Sequence, residues 1–280
     1  MVRNTAHTAH TAHTAALGLA GRLERISAVG PYFAVHCGDL PDSDAAGFRP
    51  MTELYEDGAL TAYTETVRGR MGVDQPRVAA STVQLGTASR LWSIALAAAA
   101  VGGRVPDLHP RTLWWRPGAS GPVELWLPVP RELPDAAADG PADAVHRTVA
   151  EANLRPLADA VHRVFGVSPH ILRGNAASAL IGSLRVLLAR VPEADRAAAL
   201  SVVRDLLGRE PLAGAGDFTA DADGNIAFRR RSCCLYYRVP GAGVCGDCVL
   251  TGRPSRADRT TLDSGTTRNS RTDRTTRNSR

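Results

Sequence analysis

The chain has 280 residues, 44% apolar and 22% charged, an ordinary balance for a soluble globular protein with a sizeable core. All 33 basic residues are arginine, and the formal charge of +5 sits in the tail, where residues 251–280 hold eight Arg against three Asp. Residues 1–250 carry 25 Arg against 25 acids and are formally neutral, so the basic balance gives no ground for a nucleic-acid-binding body.

The first 14 residues form a low-complexity leader, TAHTAHTAHTA, in which His7, His10 and His13 recur every third position. Histidines so spaced can bind a transition metal ion, but a leader without a specific role is the plainer reading. No secretory signal is read here, because the early Arg3 is followed by no apolar run. The expected compartment is therefore the cytoplasm, with attachment to the inner face of the membrane left open. The most apolar stretch, LWSIALAAAAVGG from Leu91, reads as too short and too rich in alanine to span a bilayer, so no transmembrane segment is expected.

The periodicity of the next 200 residues is mostly helical. AALGLAGRLERISAV sets Leu17, Leu19, Leu23 and Ile26 near one face. MTELYEDGALTAYTETVRGRMG predicts a second helix, weakened by Gly58, and a long helix is expected from Arg77 to Ala100, stopped by Gly102-Gly103. TLWWRPGASGPVELWLPV then predicts a hairpin over 112–116 and 122–127. Trp114, Trp115 and Trp126 lie in it, either as a stacking surface for a ligand or, more plainly, as packing between sheet and helices.

PRELPDAAADGPAD is a linker. Helices are expected near 143–165 (kinked or restarted at Pro156, with Leu154, Leu157, Val161 and Val164 in helical spacing), near 175–190 (Leu180, Ile181, Leu184, Leu187, Leu188) and over 193–207, ending at Gly208. DFTADADGNIAFRRR predicts a hairpin turning at Asp223-Gly224. Its DADGN does not make a calcium loop, because the glycine is misplaced and Ser232 stands where a bidentate Glu is needed. The fold class is α+β and helix-dominated: a leader over 1–14, a mainly helical body over 15–210 with a short hairpin insertion, a hairpin-and-loop segment over 211–250, and a tail over 251–280. The tail repeats TTRNSR, holds one leucine and no aromatic residue, and is expected to be disordered.

Four of the five cysteines lie in RRRSCCLYYRVPGAGVCGDC: the adjacent Cys233 and Cys234, then Cys245 and Cys248 in a CxxC. In a reducing compartment, crowded thiols indicate a metal site sooner than disulfides. Four thiolates without a cation repel one another, and a soft or borderline metal removes that penalty, which leaves zinc and iron–sulfur clusters as candidates. Only Cys245–Cys248 has the knuckle spacing of a structural zinc site. Adjacent cysteines in extended chain point to opposite sides, so a wider [2Fe–2S] rhomb suits them better if the backbone bends locally. Arg229, Arg230, Arg231 and Arg238 flank the four thiols, either as a charged edge or as cations that favour a more negative, reduced centre.

CCLYYRVPGAGVCGDC resembles the C-terminal CC-x10-CxxC signature of the FhuF-like siderophore ferric reductases. Weaker similarity appears in AASTVQLGTASRLWSIALAAAAVGGRVPDL and in LRGNAASALIGSLR. The resemblance implies that Cys233, Cys234, Cys245 and Cys248 all ligate one [2Fe–2S] cluster. It also implies one-electron reduction of Fe(III) in a hydroxamate-type siderophore, with release of Fe(II) in the cytosol. Hydroxamate oxygens hold Fe(III) far more tightly than Fe(II), so the chemistry needs no nucleophile and no proton-transfer residue.

No Gly-rich phosphate fingerprint is present, so the electron is expected from a separate donor such as a ferredoxin, a flavodoxin or a flavin reductase. Arg173 and Asn175 are the first candidates for substrate contact, although Asn175 also suits a helix cap. Cys37 reads as a buried spectator, and His109, His146, His162 and His170 as structural or exposed. An iron–sulfur carrier or sensor without reductase activity, and a zinc ribbon with a nucleic-acid-contacting tail, remain as alternatives. No specific nucleic-acid partner is expected.

Overall fold

The computed structural model describes residues 18–119, 121–133, 140–221 and 225–251. Helix α1 (Leu19–Ser27) buries Leu23 and Ile26, two of the four residues expected on its apolar face; Leu17 lies outside the described residues. Strand β1 (His36–Cys37), the single turn α2 (Asp42–Ala45) and strand β2 (Arg49–Pro50) follow. The second expected helix is two elements. A 3-10 turn over Met51–Tyr55 ends at Glu56, whose backbone is extended, and α3 (Asp57–Met71) begins there, with Gly58 in its first turn.

Helix α4 (Pro76–Gly102) runs as expected and stops at Gly103, which takes the left-handed conformation open to glycine at low cost. It is apolar nearly all round, the mark of a helix enclosed by its neighbours. Helix α7 (Pro169–Leu188) crosses it. Both are long and apolar enough to cross a membrane by length and composition, more than the sequence suggested. Yet 72% and 67% of their apolar windows are buried within the protein itself. Both helices bury many alanines, 95, 97, 98, 99 and 100 on α4 and 176, 177 and 179 on α7, and small side chains let two helix backbones approach closely. Trp92 closes the seam by donating its Nε1–H to the Ala176 carbonyl at 3.1 Å.

Helix α5 (Pro141–Val145) passes into a π-helical stretch, His146–Leu154, and then into α6 (Arg155–Phe165). The irregularity falls just before Pro156, whose ring nitrogen has no proton to donate. Buried Asn153 donates to the carbonyls of Leu108 at 2.8 Å and Thr148 at 2.6 Å, and accepts from the Tyr55 hydroxyl at 2.6 Å. Leu154, Leu157 and Val161 are buried as expected, and Val164 is half-buried. Helix α7 starts at Pro169, capped by Ser168, and α8 (Glu193–Leu207) ends at Gly208.

The expected Trp hairpin is β3 (Trp114–Arg116) with β4 (Glu124–Leu127), antiparallel, pairing Trp114 with Trp126. It is the centre of a four-stranded sheet in the order β1-β4-β3-β2, in which β1 runs parallel to β4. Trp115 is fully buried against Tyr63 of α3, and Trp126 donates to the Gly38 carbonyl at 2.7 Å, so the tryptophans pack the sheet. Arg90, buried on α4, donates to the carbonyls of Val123, Pro31 and Ala34 and so ties the helix to the sheet and to the loop before β1.

The second hairpin is β5 (Gly216–Ala220) with β6 (Ile226–Arg230), antiparallel with Phe218 opposite Phe228. Its expected turn, Asp223-Gly224, lies outside the described residues, as do the His leader and the repeated tail. Residues 18–249 belong to one compact unit. Strand β6 packs on α7, and the short 3-10 turn Tyr236–Arg238 packs on α4, so the cysteine segment rests on the two central helices.

Candidate metal centre

Strand β6 alternates: Ala227 and Arg229 face outward, while Phe228 and Arg230 face inward. The chain leaves the strand through Ser232 and reaches the vicinal pair. Leu235, directly after it, adopts φ 68°, and it is the one non-glycine residue with positive φ among the described residues. This conformation costs an L-residue roughly 1–2 kcal/mol. It is held by burial of the Leu235 side chain against Val73, Val78 and Ala79. The backbone therefore bends at the place where adjacent cysteines would otherwise point apart.

The bend aims amides at sulfur. The Leu235 N–H donates to Cys233 Sγ at 3.4 Å, and the amides of Tyr236 and Asp247 donate to the sulfurs of Cys234 and Cys245. The returning loop brings Cys245 into hydrogen-bond contact with Cys234, while Cys248 and Cys233 feel one another's charge. Cys234 and Cys245 thus meet across the loop, with Cys233 and Cys248 in the same neighbourhood. Cys234 and Cys248 are buried, and Cys233 and Cys245 are half-buried. None of the cysteines forms a disulfide.

The electrostatics favour ionised sulfur at one position. The hydrogen bond from Cys245 pulls the Cys234 thiol down to about 6, aided by the Tyr236 amide and the Arg230 guanidinium. The Cys245 thiol, the donor of that bond, is pushed up. Burial, chiefly, raises Cys233. Arg230 draws all three toward the thiolate.

Arg230 is 1% exposed. Its guanidinium donates to the Ser232 carbonyl at 2.7 Å, to Asn175 Oδ1 at 2.8 Å and to the Ile171 carbonyl at 3.3 Å, and it has no carboxylate partner among the described residues. Asn175 is fully buried within α7 and donates to the Ser81 hydroxyl at 2.9 Å and the Ser81 carbonyl at 3.1 Å. The Ser81 hydroxyl in turn donates to the Cys234 carbonyl at 2.9 Å. Asn175 is therefore not a helix cap; the helix begins six residues earlier and Asn175 joins α4, α7 and the cysteine segment.

Arg173, the other candidate for substrate contact, turns the opposite way and lies 3.6 Å from Glu210. The remaining flanking arginines also diverge from the thiols. Arg231 pairs with Asp217 at 2.7 Å, and Arg238 donates to Gln75 Oε1 at 2.8 Å. Asp247, inside the CxxC, accepts from Arg185 of α7 at 2.8 Å, which pins the loop to the helix. Cys37 lies apart on β1, its thiol raised to about 11 by burial. His146 and His162 donate to the carbonyls of Glu210 and Val167, structural roles as expected.

Ser81 and Gly174 were not singled out by the sequence, although both lie in the two upstream segments that carry the weaker resemblance. A Cβ on Gly174 would stand 2.2 Å from Ser232 Oγ and 2.8 Å from Arg230 Nη2, so only glycine admits the guanidinium here.

The donor set suits a [2Fe–2S] cluster. Among the described residues no three His, Cys, Asp or Glu side chains, the four cysteines included, stand close enough together to hold a metal ion as they are placed. A diiron rhomb asks for two thiolates on each of two irons, with amides directed at sulfur, and the chain supplies these residue types here. A buried, carboxylate-free cation beside four thiols matches the net negative charge of such a centre. No curated protein matches this chain. Residues 230–250, which hold all four cysteines, match the family model for the FhuF 2Fe-2S C-terminal domain, the family whose CC-x10-CxxC signature they resemble, so this segment is similar to a [2Fe–2S]-binding one.

Proposed function

We propose that Cys233, Cys234, Cys245 and Cys248 hold the cluster and that the protein reduces Fe(III) in a hydroxamate-type siderophore by one electron in the cytosol. The observation that carries this reading is the Cys234–Cys245 contact, flanked by Cys233 and Cys248, near the buried Arg230 and at a bend where amides point at sulfur. A bound [2Fe–2S] cluster supplies one electron at a time. The substrate's Fe(III) gains one electron and becomes Fe(II), for which hydroxamate oxygens have far lower affinity. A separate one-electron donor, a ferredoxin, flavodoxin or flavin reductase, loses the electron that the chelate gains.

The chain's own residues supply position and access. Leu235 and the Arg185–Asp247 pair fix the two halves of the cysteine segment. Tyr236 and Tyr237, 41% and 43% exposed, lie between the two cysteine pairs and give a partner an apolar surface beside the half-buried Cys233 and Cys245. A cavity of about 470 Å³ adjoins the loop through Arg185 and is lined also by Leu188, Arg196, Ala197 and Leu200. Its size and mixed lining suit a small-molecule chelate, and we assign the siderophore to it.

The test is reoxidation. Protein reduced with dithionite and freed of reductant should regain its oxidised visible spectrum on mixing with a ferric trihydroxamate, with one Fe(II) trapped per chain by a ferrous chelator. Reduced protein that stays reduced under these conditions would leave an electron carrier or sensor instead.

A further inference from the structure

We infer that the turn of α7 from Ile171 to Asn175 is a socket built for Arg230, and that Arg230 is the positioning residue whose fixed charge sets the reduction equilibrium of the cluster. The inference rests on the reading that the four cysteines hold a [2Fe–2S] centre.

The socket has three parts from one helical turn. Ile171 offers a carbonyl, Gly174 offers the space of a missing side chain, and Asn175 offers Oδ1. Ser232 closes it with its own carbonyl. Every one of these acceptors is neutral. Neutral acceptors orient a guanidinium, but they leave its charge uncompensated.

Placing an unpaired cation inside a protein costs several kcal/mol unless an anion stands near it. Of the four arginines that flank the cysteines, Arg230 is the one turned inward, and its guanidinium is bonded to the carbonyl of Ser232, the residue directly before the vicinal cysteines. Four thiolates on an oxidised diiron rhomb give a net charge of about −2, and reduction adds about one more. A fixed positive charge stabilises the reduced form more than the oxidised form, and burial keeps water from screening that difference.

Arg230→Gln keeps hydrogen-bond donors and removes the charge, whereas Arg230→Lys keeps the charge and loses the planar fork. Asn175→Asp leaves Arg230 in place and sets a carboxylate against it. Each protein is purified whole, its iron and sulfide are measured, and its midpoint potential is found by spectroscopic redox titration. We expect R230Q and N175D to shift the reduction equilibrium at least tenfold toward the oxidised form, about 59 mV downward for a one-electron couple, and R230K to stay closer to the parent. Loss of cluster from a folded R230Q, with retention in R230K, would support the same charge role. Full iron and sulfide with unmoved potentials in both R230Q and N175D would overturn it, as would equal cluster loss in R230Q and R230K. A parent protein without iron and sulfide would instead overturn the reading beneath the inference, and the inference with it.

Discussion

The Ser81 hydroxyl donates to the carbonyl oxygen of Cys234 at 2.9 Å, across 153 residues of sequence. It accepts at the same time from Asn175 Nδ2 at 2.9 Å. One side chain near the start of α4 therefore couples the helix pair to the backbone of the vicinal cysteines. Ser81→Ala should leave a buried carbonyl and a buried amide each one partner short. We expect a stability loss of about 1–3 kcal/mol and faster loss of cluster absorbance on dilution into chelator. Urea unfolding and the decay of the visible band check the two effects separately.

Gly174→Ala tests the socket by volume. The added methyl meets Ser232 Oγ at 2.2 Å and Arg230 Nη2 at 2.8 Å, so either the loop shifts or α7 does. Overpacking of this kind costs about 1–3 kcal/mol. Gly182→Ala, on the same helix with nothing within 4 Å of its new Cβ, is the control and should cost little. Equal effects from the two substitutions in thermal unfolding would remove the special status of Gly174.

The cavity beside Arg185 is tested by filling it. Ala197 is exposed on its wall, so Ala197→Trp occupies the space without disturbing the core. The variant should keep its iron, sulfide and potential while the KM for a ferric trihydroxamate rises several-fold. An unchanged KM would place the substrate elsewhere.

Cys37 gives a pH prediction independent of the cluster. Burial raises its thiol from 9.0 to about 11, so the folded protein holds this proton more tightly than the unfolded chain. Its contribution to stability is therefore present below pH 9 and falls as pH rises from there toward 11. In folded protein the thiolate fraction stays small through pH 9. Alkylation by iodoacetamide, followed by peptide mass mapping, should be slow at Cys37 until the pH nears 11 and fast at any pH above 9 in urea. Rapid labelling of folded protein at pH 8 would contradict this.

Much of the fold was legible because it is written in local signals. Gly103 stops α4, Gly208 follows α8, and the Pro/Gly/Ser turn sits between β3 and β4, each within a residue or two of expectation. Strands β1 and β2 were not legible, since a two-residue strand shows no alternation and exists only through its register with β4 or β3. Glu56 split a helix that periodicity joined.

At the site, four cysteines were legible because thiols are scarce elsewhere in the chain. Their supporting shell was not. Ser81, Asn175 and Arg230 are separated by 94 and 55 residues and meet only because small residues let α4 and α7 pack closely and because β6 aims alternate side chains inward. The charge run RRR reads as a uniform basic patch in sequence, and strand geometry makes one of its members a buried group.

The central claim is that four named sulfurs hold one diiron centre, and metal analysis of cysteine variants tests it most directly. Purified protein should be brown, with about two irons and two acid-labile sulfides per chain and an EPR signal on reduction. Single Ser replacements at 233, 234, 245 or 248 should each deplete both elements and alter the spectrum, whereas Cys37→Ser should not. A colourless, folded protein with one zinc per chain, or Ser variants with undiminished iron and sulfide, would contradict the claim.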